Sequence, residues 1–530
     1  MNPFVRNLEV AADRVAAWGE ARVSDGLSLR DALTVDGVSF WDVMAVDLAL
    51  YRVPHIDNAR LGTAFRQLIR AIVAPLRFRR LADFRRVGST AATRPGRLAP
   101  VRVMLLGFSP YMTRDILAPV AASLARMNIP AIILGPRQPE HEATSGAGYV
   151  SWTDFWTPAS KKDAASIARA LDEKLHYVRA LTNNTDAFRV PNAVKRETAR
   201  RIWNAFADAR YLLAPHLAVA KNALNTLQPQ VILSPDVADP RTRLYALLAR
   251  ERGIPVLEIQ LGSFGEEATE WRFFRSSAVA AWGERSKRVL AAHGVPETKI
   301  FVTGSPRHDK LRNGSDLGEK LRRRFNVGET CRLVVLASVY SLVAYQTEEE
   351  LEALRAMKRD TFALASKQRD LLLVVKPHPL EDIAETRALA GQAENVVVLD
   401  PRDDIRELIL ACDALLTFGS TVTLDALILG KATVSLAYSG WDWGEAFVEG
   451  DATEVCRTPA EIEGVLSEIA RDAGAALRAR HEKARDEFVQ DCVGNANAIG
   501  EASDRIAALA VKLAEAGATI EPNAPAPANG

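Results

Sequence analysis

The chain has 530 residues, 48% of them hydrophobic and 25% charged, with a formal net charge of +1. That length exceeds what one hydrophobic core organises and predicts two or three domains. The near-neutral balance gives no basis for bulk electrostatic binding of nucleic acid. Cys331, Cys412, Cys456 and Cys492 are far apart with no CxxC pairing, which fits a reduced, cytoplasmic protein without a disulfide framework or structural zinc. The first residues, MNPFVRNLEVAADRVAAWGE, carry acids and lack a continuous apolar stretch, unlike a signal peptide. No apolar run approaches the ~18 residues a membrane span needs.

Residues 1–98 predict a helical extension, because apolar positions recur at three and four residues without strand alternation. Within it, residues 65–87 interleave arginines from Arg66 to Arg86 with Leu68, Ile72, Phe78 and Phe84. Such a basic amphipathic stretch can dock on an anionic membrane surface; packing on the main body with solvated arginines is the alternative.

From Val101 the pattern changes to VRVMLLGF, a helical stretch from Asp115 to Met127, and AIILG. That β-α-β opening predicts a parallel sheet covered by helices. A long helical insertion, Ser160 to Leu227, precedes VILSPD, the helix Thr242 to Arg252, VLEIQLG, AVAAWG and IFVTGS. Residues 99–305 therefore predict a first Rossmann-like domain. A second series, LVVLAS, LLLVVKPHP, VVVLD, ALLTFGS and ATVSLA, predicts another over 306–475. Helices over 476–516 and a Pro/Ala-rich disordered tail, 517–530, follow. The expected fold is α/β, two doubly wound parallel-sheet domains in tandem, with ligands at the carboxyl ends of the strands.

The candidate residues sit at those ends. In KPHP, Lys376 and His378 follow a strand, while Pro377 and Pro379 stiffen the turn and leave bonding to side chains. A cation and an imidazole there suit a diphosphate or phosphodiester. In FGSTVTLD, Gly419, Ser420 and Thr421 join a strand to a helix whose free amides attract phosphate, and Ser420 or Thr421 can cap it. Asp425, a turn further on, is placed to accept from ribose hydroxyls. In VTGSPRHDKL, Gly304 permits a tight turn, Arg307 can reach phosphate and Asp309 opens the next helix. His293 and His308 read as surface or junction histidines. Acids of the first domain, Asp236, Asp239, Glu266 and Glu267, face the expected cleft, and a carboxylate can serve as general base. For each motif an ordinary turn, cap or linker role is the alternative.

Over about residues 230–440 the chain resembles the GT-B glycosyltransferases of bacterial surface-polysaccharide synthesis. The resemblance rests on GIPVLEIQLG, AWGERSKRVLAAHGV, VTGSPRHD, KPHP, DDIRELILACDALLTFGST and LDALILGK. The families it resembles are capsule-type transferases using CMP-activated acidic sugars and the CDP-glycerol glycerophosphotransferases. It implies that His378 and the Ser420-Thr421 pair contact the donor phosphate. Many relatives have His-Gly after the GIP strand, whereas this chain reads Gln260-Leu261-Gly262, and GEEA inverts the acid-acid-glycine order of sialyltransferases. Glu266 or Glu267, with Asp236, then stands in as the base.

The implied activity is a metal-independent glycosyltransferase with no cofactor. It would move a sugar from a nucleotide-activated, CMP-linked donor onto a lipid-linked or protein-linked surface glycan at the inner face of the cytoplasmic membrane. A UDP-sugar 2-epimerase, a CDP-glycerol glycerophosphotransferase and a non-catalytic polysaccharide export or assembly factor remain as alternatives.

Overall fold

A computed structural model describes residues 3–24, 26–53, 99–136, 148–182, 192–262, 268–313, 315–328, 330–339, 348–378, 381–439, 441, 450–494 and 500–517. The basic stretch 65–87 lies outside the described residues.

The N-terminal extension is mainly helical, with helices Pro3–Glu20 and Phe40–Asp47, but it also holds two small hairpins. β1 (Arg22–Ser24) pairs with β2 (Leu27–Ser28), and β3 (Thr34–Val35) with β4 (Val38–Ser39). Strands this short offer no alternation to read in a sequence. The second hairpin turns on Asp36 and Gly37 at φ of 50° and 79°. That left-handed pair suits the two-residue turn that matches strand twist. Ala11, Val15, Trp41 and Met44 share one apolar core with Met104, Phe206, Leu213 and Leu244. The extension is thus continuous with the interior of the first α/β domain.

That domain holds β5 (Val103–Leu106), β6 (Ala131–Gly135), β7 (Gly148–Ser151), β8 (Val231–Ser234), β9 (Val256–Ile259), β10 (Ala278–Ala281) and β11 (Ile300–Val302). They form one parallel sheet in the order β11-β10-β9-β8-β5-β6-β7. β5, β8, β9 and β10 are buried along their length, as a parallel sheet covered on both faces requires. The long insertion is a pair of packed helices, Pro158–Thr182 and Asn192–Leu227.

The second domain holds β12 (Arg332–Ala337), β13 (Leu371–Lys376), β14 (Val396–Val398), β15 (Ala414–Thr417), β16 (Ala432–Leu436) and β17 (Glu454–Cys456), parallel in the order β14-β13-β12-β15-β16-β17. Renumbered within each sheet, both follow 3-2-1-4-5-6, the first adding a seventh strand. This is the doubly wound order whose rim binds nucleotides. Only β7 and β17 lack the long apolar run expected of a strand. Each is an edge strand that buries a single residue, Val150 and Cys456 respectively; the opposite edges β11 and β14 bury one residue too but are apolar in sequence.

Two C-terminal helices tie the domains together. Helix Ala475–Val493 places Phe488, Val489 and Cys492 against Trp282 of the first domain and Leu424 and Leu427 of the second. A Cβ on Gly283 would collide with the Cys492 carbonyl, so this approach needs glycine. Helix Ala502–Ala516 returns to the first domain and packs Ile506, Ala507 and Ala510 on Val103, Leu105 and Leu124. Its first amides are capped by Asp309, which accepts from Ala502 N at 3.1 Å and Ser503 N at 2.9 Å. Asp309 therefore caps the last described helix, not the segment that follows it in sequence.

Candidate active site

The loops after β9 and β15 face each other across the domains. A Cβ on Gly262 would lie 3.8 Å from the Thr421 hydroxyl. On the second-domain side, Gly419 turns the chain at φ +92°. Ser420 N donates to Thr417 Oγ1 at 3.1 Å, and Thr423 Oγ1 donates to Ser420 O at 2.6 Å. Thr421 occupies the N-cap of helix Val422–Ile428, yet its side chain makes no cap bond. The expected side-chain cap is not formed at Thr421, because the amides of Thr423 and Leu424 already donate to the Ser420 and Thr421 carbonyls at 2.9 and 3.1 Å. Both hydroxyls stay half-exposed at the rim.

His378 is also half-buried, two residues past β13. Burial lowers its pKa, Lys376 lowers it further, and Glu381 opposes both. The backbone N–H of His378 donates to Glu381 Oε2 at 2.9 Å. Glu381 Oε1 accepts from Lys358 Nζ at 2.7 Å and Ser338 Oγ at 2.8 Å. Lys376 is buried, and its ammonium donates to Pro377 O at 2.7 Å and Pro401 O at 2.9 Å. Two of its three protons thus hold loops together instead of pointing at a ligand. Pro379 lies outside the described residues.

Arg307 and Asp425 meet each other instead of phosphate and ribose. Their buried side chains form an ion pair, and His308 Nε2 lies 3.2 Å from Asp425 Oδ1. Burial alone would raise the Asp425 carboxyl, but Arg307 and His308 hold it down at about 2. Arg307 Nη1 also donates to Tyr111 Oη in the first domain at 2.9 Å. His308 is edge-on to Trp282, with ring centroids 4.9 Å apart. A second buried pair, Arg406 Nη2 to Asp115 Oδ1 at 2.7 Å, also joins the domains. One oxygen of Asp425 is bonded to Arg307 and the other faces His308 across 3.2 Å, and the whole carboxylate is buried, so it is not presented at the rim.

On the first-domain rim, Asp236 follows β8 and accepts from Ala238 N at 2.9 Å and Asp239 N at 3.1 Å. Burial and the neighbouring Asp239 push its carboxyl up to about 7. Burial would also raise Asp239, but Arg241 outweighs it and holds Asp239 low. One carboxylate is thus committed to an arginine, and burial beside it leaves the other more readily protonated than an ordinary aspartate. Glu258, in the adjacent strand, is buried and also pushed up to about 7 by desolvation. Sequence periodicity hides it inside an apolar run. Glu266 and Glu267 lie outside the described residues. The buried Gln260 takes Trp282 N at 2.8 Å on its amide oxygen and donates to Gly262 O at 2.7 Å. It ties the strand end to the rim loop.

Two parallel sheets of like strand order in tandem, with their loops facing each other, are the GT-B arrangement. The chain belongs to the CDP-Glycerol:Poly(glycerophosphate) glycerophosphotransferase family, whose model matches residues 146–445. Among solved structures, the wall teichoic acid polymerase TagF is similar at 15% identity and a TM-score of 0.50. That alignment covers 87% of this chain and 100% of TagF. The UDP-GlcNAc 2-epimerase from Neisseria meningitidis is similar at 17% identity and a TM-score of 0.47, covering 78% of this chain and 100% of the epimerase. No curated protein matches the sequence. Among the described residues no helix is long and apolar enough to cross a membrane.

Proposed function

We propose that the chain transfers a group from a cytidine-nucleotide donor to a hydroxyl of a surface polymer and releases CMP. The observation that carries this reading is the opposition of Gly262 and Thr421, which sets the rim bearing Ser420 and Thr421 against the rim bearing Asp236. The donor phosphates lie at Ser420, Thr421 and His378, whose donors stabilise the charge that grows on departing CMP. Asp236 takes the proton from the acceptor hydroxyl, with Glu266 and Glu267 on the loop beyond Gly262 as further candidates. The family description names CDP-glycerol and poly(glycerophosphate), which favours a polyol phosphate over an acidic sugar as the group moved. The acceptor oxygen then attacks the β-phosphorus, the P–O bond to the CMP portion breaks, and CMP leaves with that electron pair.

Incubation with CDP-glycerol and, separately, with a CMP-activated acidic sugar tests this. CMP release that needs a hydroxyl acceptor is the expected result. Epimerisation of UDP-GlcNAc without acceptor, or binding of no cytidine nucleotide, overturns the reading. In this proposal the acceptor sits at the membrane, and residues 65–87 bring the enzyme to that surface. Sedimentation with anionic liposomes should then fall as salt rises.

A further inference from the structure

The KPHP turn raises the question of what holds His378 at the rim. Beyond Pro377, one carboxylate does so. The Glu381 side chain is 4% exposed and accepts from Ser338 Oγ at 2.8 Å, Lys358 Nζ at 2.7 Å and Thr386 Oγ1 at 2.5 Å, all on Oε1. On Oε2 it accepts from His378 N at 2.9 Å, and its own N–H donates to His378 O at 2.9 Å. The donors come from four places: the loop after β12, helix Glu348–Ala365, helix Ile383–Ala390 and the His378 turn. Lys358 also donates to Val339 O at 2.9 Å.

We propose that Glu381, charge-balanced by Lys358, is a positioning residue for donor binding that fixes the His378 turn at the phosphate site. The inference rests on the donor reading above and deepens it. Its chemical basis is that only an ionised carboxylate presents acceptors at both oxygens. In Glu381→Gln the amide oxygen goes to the Lys358 ammonium, which can only donate, whereas the Ser338 and Thr386 hydroxyls can also accept. The NH2 must then face His378 N–H, and the turn loses its anchor while the rest of the cluster keeps an acceptor. A variant of nearly the same shape thus releases one loop selectively.

The test is calorimetry of the full chain with CMP and with cytidine, for wild type, Glu381→Gln and His378→Ala, alongside melting temperatures. Wild type should bind CMP more tightly than cytidine. Glu381→Gln should lose roughly tenfold in CMP affinity, the scale of one charge-assisted phosphate contact, with cytidine affinity unchanged. A purely structural role would weaken both ligands alike, and that outcome overturns the inference. CMP affinity lost in His378→Ala but intact in Glu381→Gln overturns the inference and leaves the donor reading standing. CMP affinity intact in His378→Ala, or absent in wild type, overturns the donor reading and the inference with it. If Glu381→Gln fails to fold, Lys358→Met replaces it. That variant leaves the Glu381 charge without its balance, and the same selective loss for CMP is expected.

Discussion

The two α/β halves share a strand order, yet their rims carry opposite chemistry. The second-domain rim presents the Ser420 and Thr421 hydroxyls and His378, with Lys376 and Lys358 behind them. The first presents carboxyls, Asp236 and Asp239, with Glu258 buried beneath. Topology places both rims at the cleft, and in the proposed reading the loop residues make one half the anion site and the other the source of the base. A fold match alone says nothing of this division.

The largest expected effect tests the acidic rim. Asp236→Asn keeps the turn's acceptor for Ala238 N and Asp239 N but removes the base. Its turnover, read as CMP release, should fall about 10²–10⁴-fold, with CMP affinity retained. An unchanged rate would transfer the base role to Glu266 or Glu267. The pH profile sharpens the same point. A base must be unprotonated, so kcat/KM should rise with pH through about 7, where the Asp236 carboxyl titrates. A profile already flat from pH 5 upward contradicts that assignment.

Next comes the seam between the halves. Asp425→Ala strands the buried Arg307 guanidinium, and removing one partner of a buried ion pair costs about 3–5 kcal/mol. The melting temperature should fall sharply. Asp425 has its folded pKa held below its unfolded value, so the pair contributes stability above pH ~4. That stability is lost as pH falls toward about 2. A variant as stable as wild type removes the seam from the account.

How much of this was legible differs between the halves. Eleven of the thirteen long-sheet strands were readable as apolar runs, as the central parallel strands buried on both faces must be. The edge strands β11 and β14 kept such a run (IFV, VVV), whereas β7 (GYVS) and β17 (EVC), which bury no less, did not. The Asp36-Gly37 hairpin left a trace of its own, a dipeptide that favours the two-residue turn. His378, Ser420 and Thr421 were recognisable because strand-loop-helix junctions concentrate them in short motifs. Their supports were not. Glu381 lies three residues beyond His378, but Ser338 and Lys358 reach it from sites no local pattern connects. The Arg307–Asp425 pair spans the domain junction, so charge complementarity between distant segments decides what each faces. For the same reason Arg307 and Asp425 read from sequence as ligand groups.

On the cationic rim the expected effects are smaller. His378→Ala, and Ser420→Ala combined with Thr421→Ala, should each weaken CMP binding by about 1.5–3 kcal/mol, the range for hydrogen bonds to a charged group. Calorimetry reads this directly, and unchanged affinity in both variants dissolves the contrast between the rims.

The smallest effect separates the rims from the frame that holds them. Asp309 accepts from the first amides of helix Ala502–Ala516, and Ser503 Oγ also donates to it at 2.6 Å. The helix lies on the first domain, while Asp309 follows Arg307 and His308 of the seam. Loss of an N-cap costs about 1 kcal/mol, so Asp309→Ala should lower stability by that amount in denaturant titration. CMP affinity should stay unchanged, since the rim residues keep every contact they make. A loss of CMP affinity larger than the loss of stability would mean that the C-terminal helix sets the spacing of the rims, and the division between frame and chemistry would have to be redrawn.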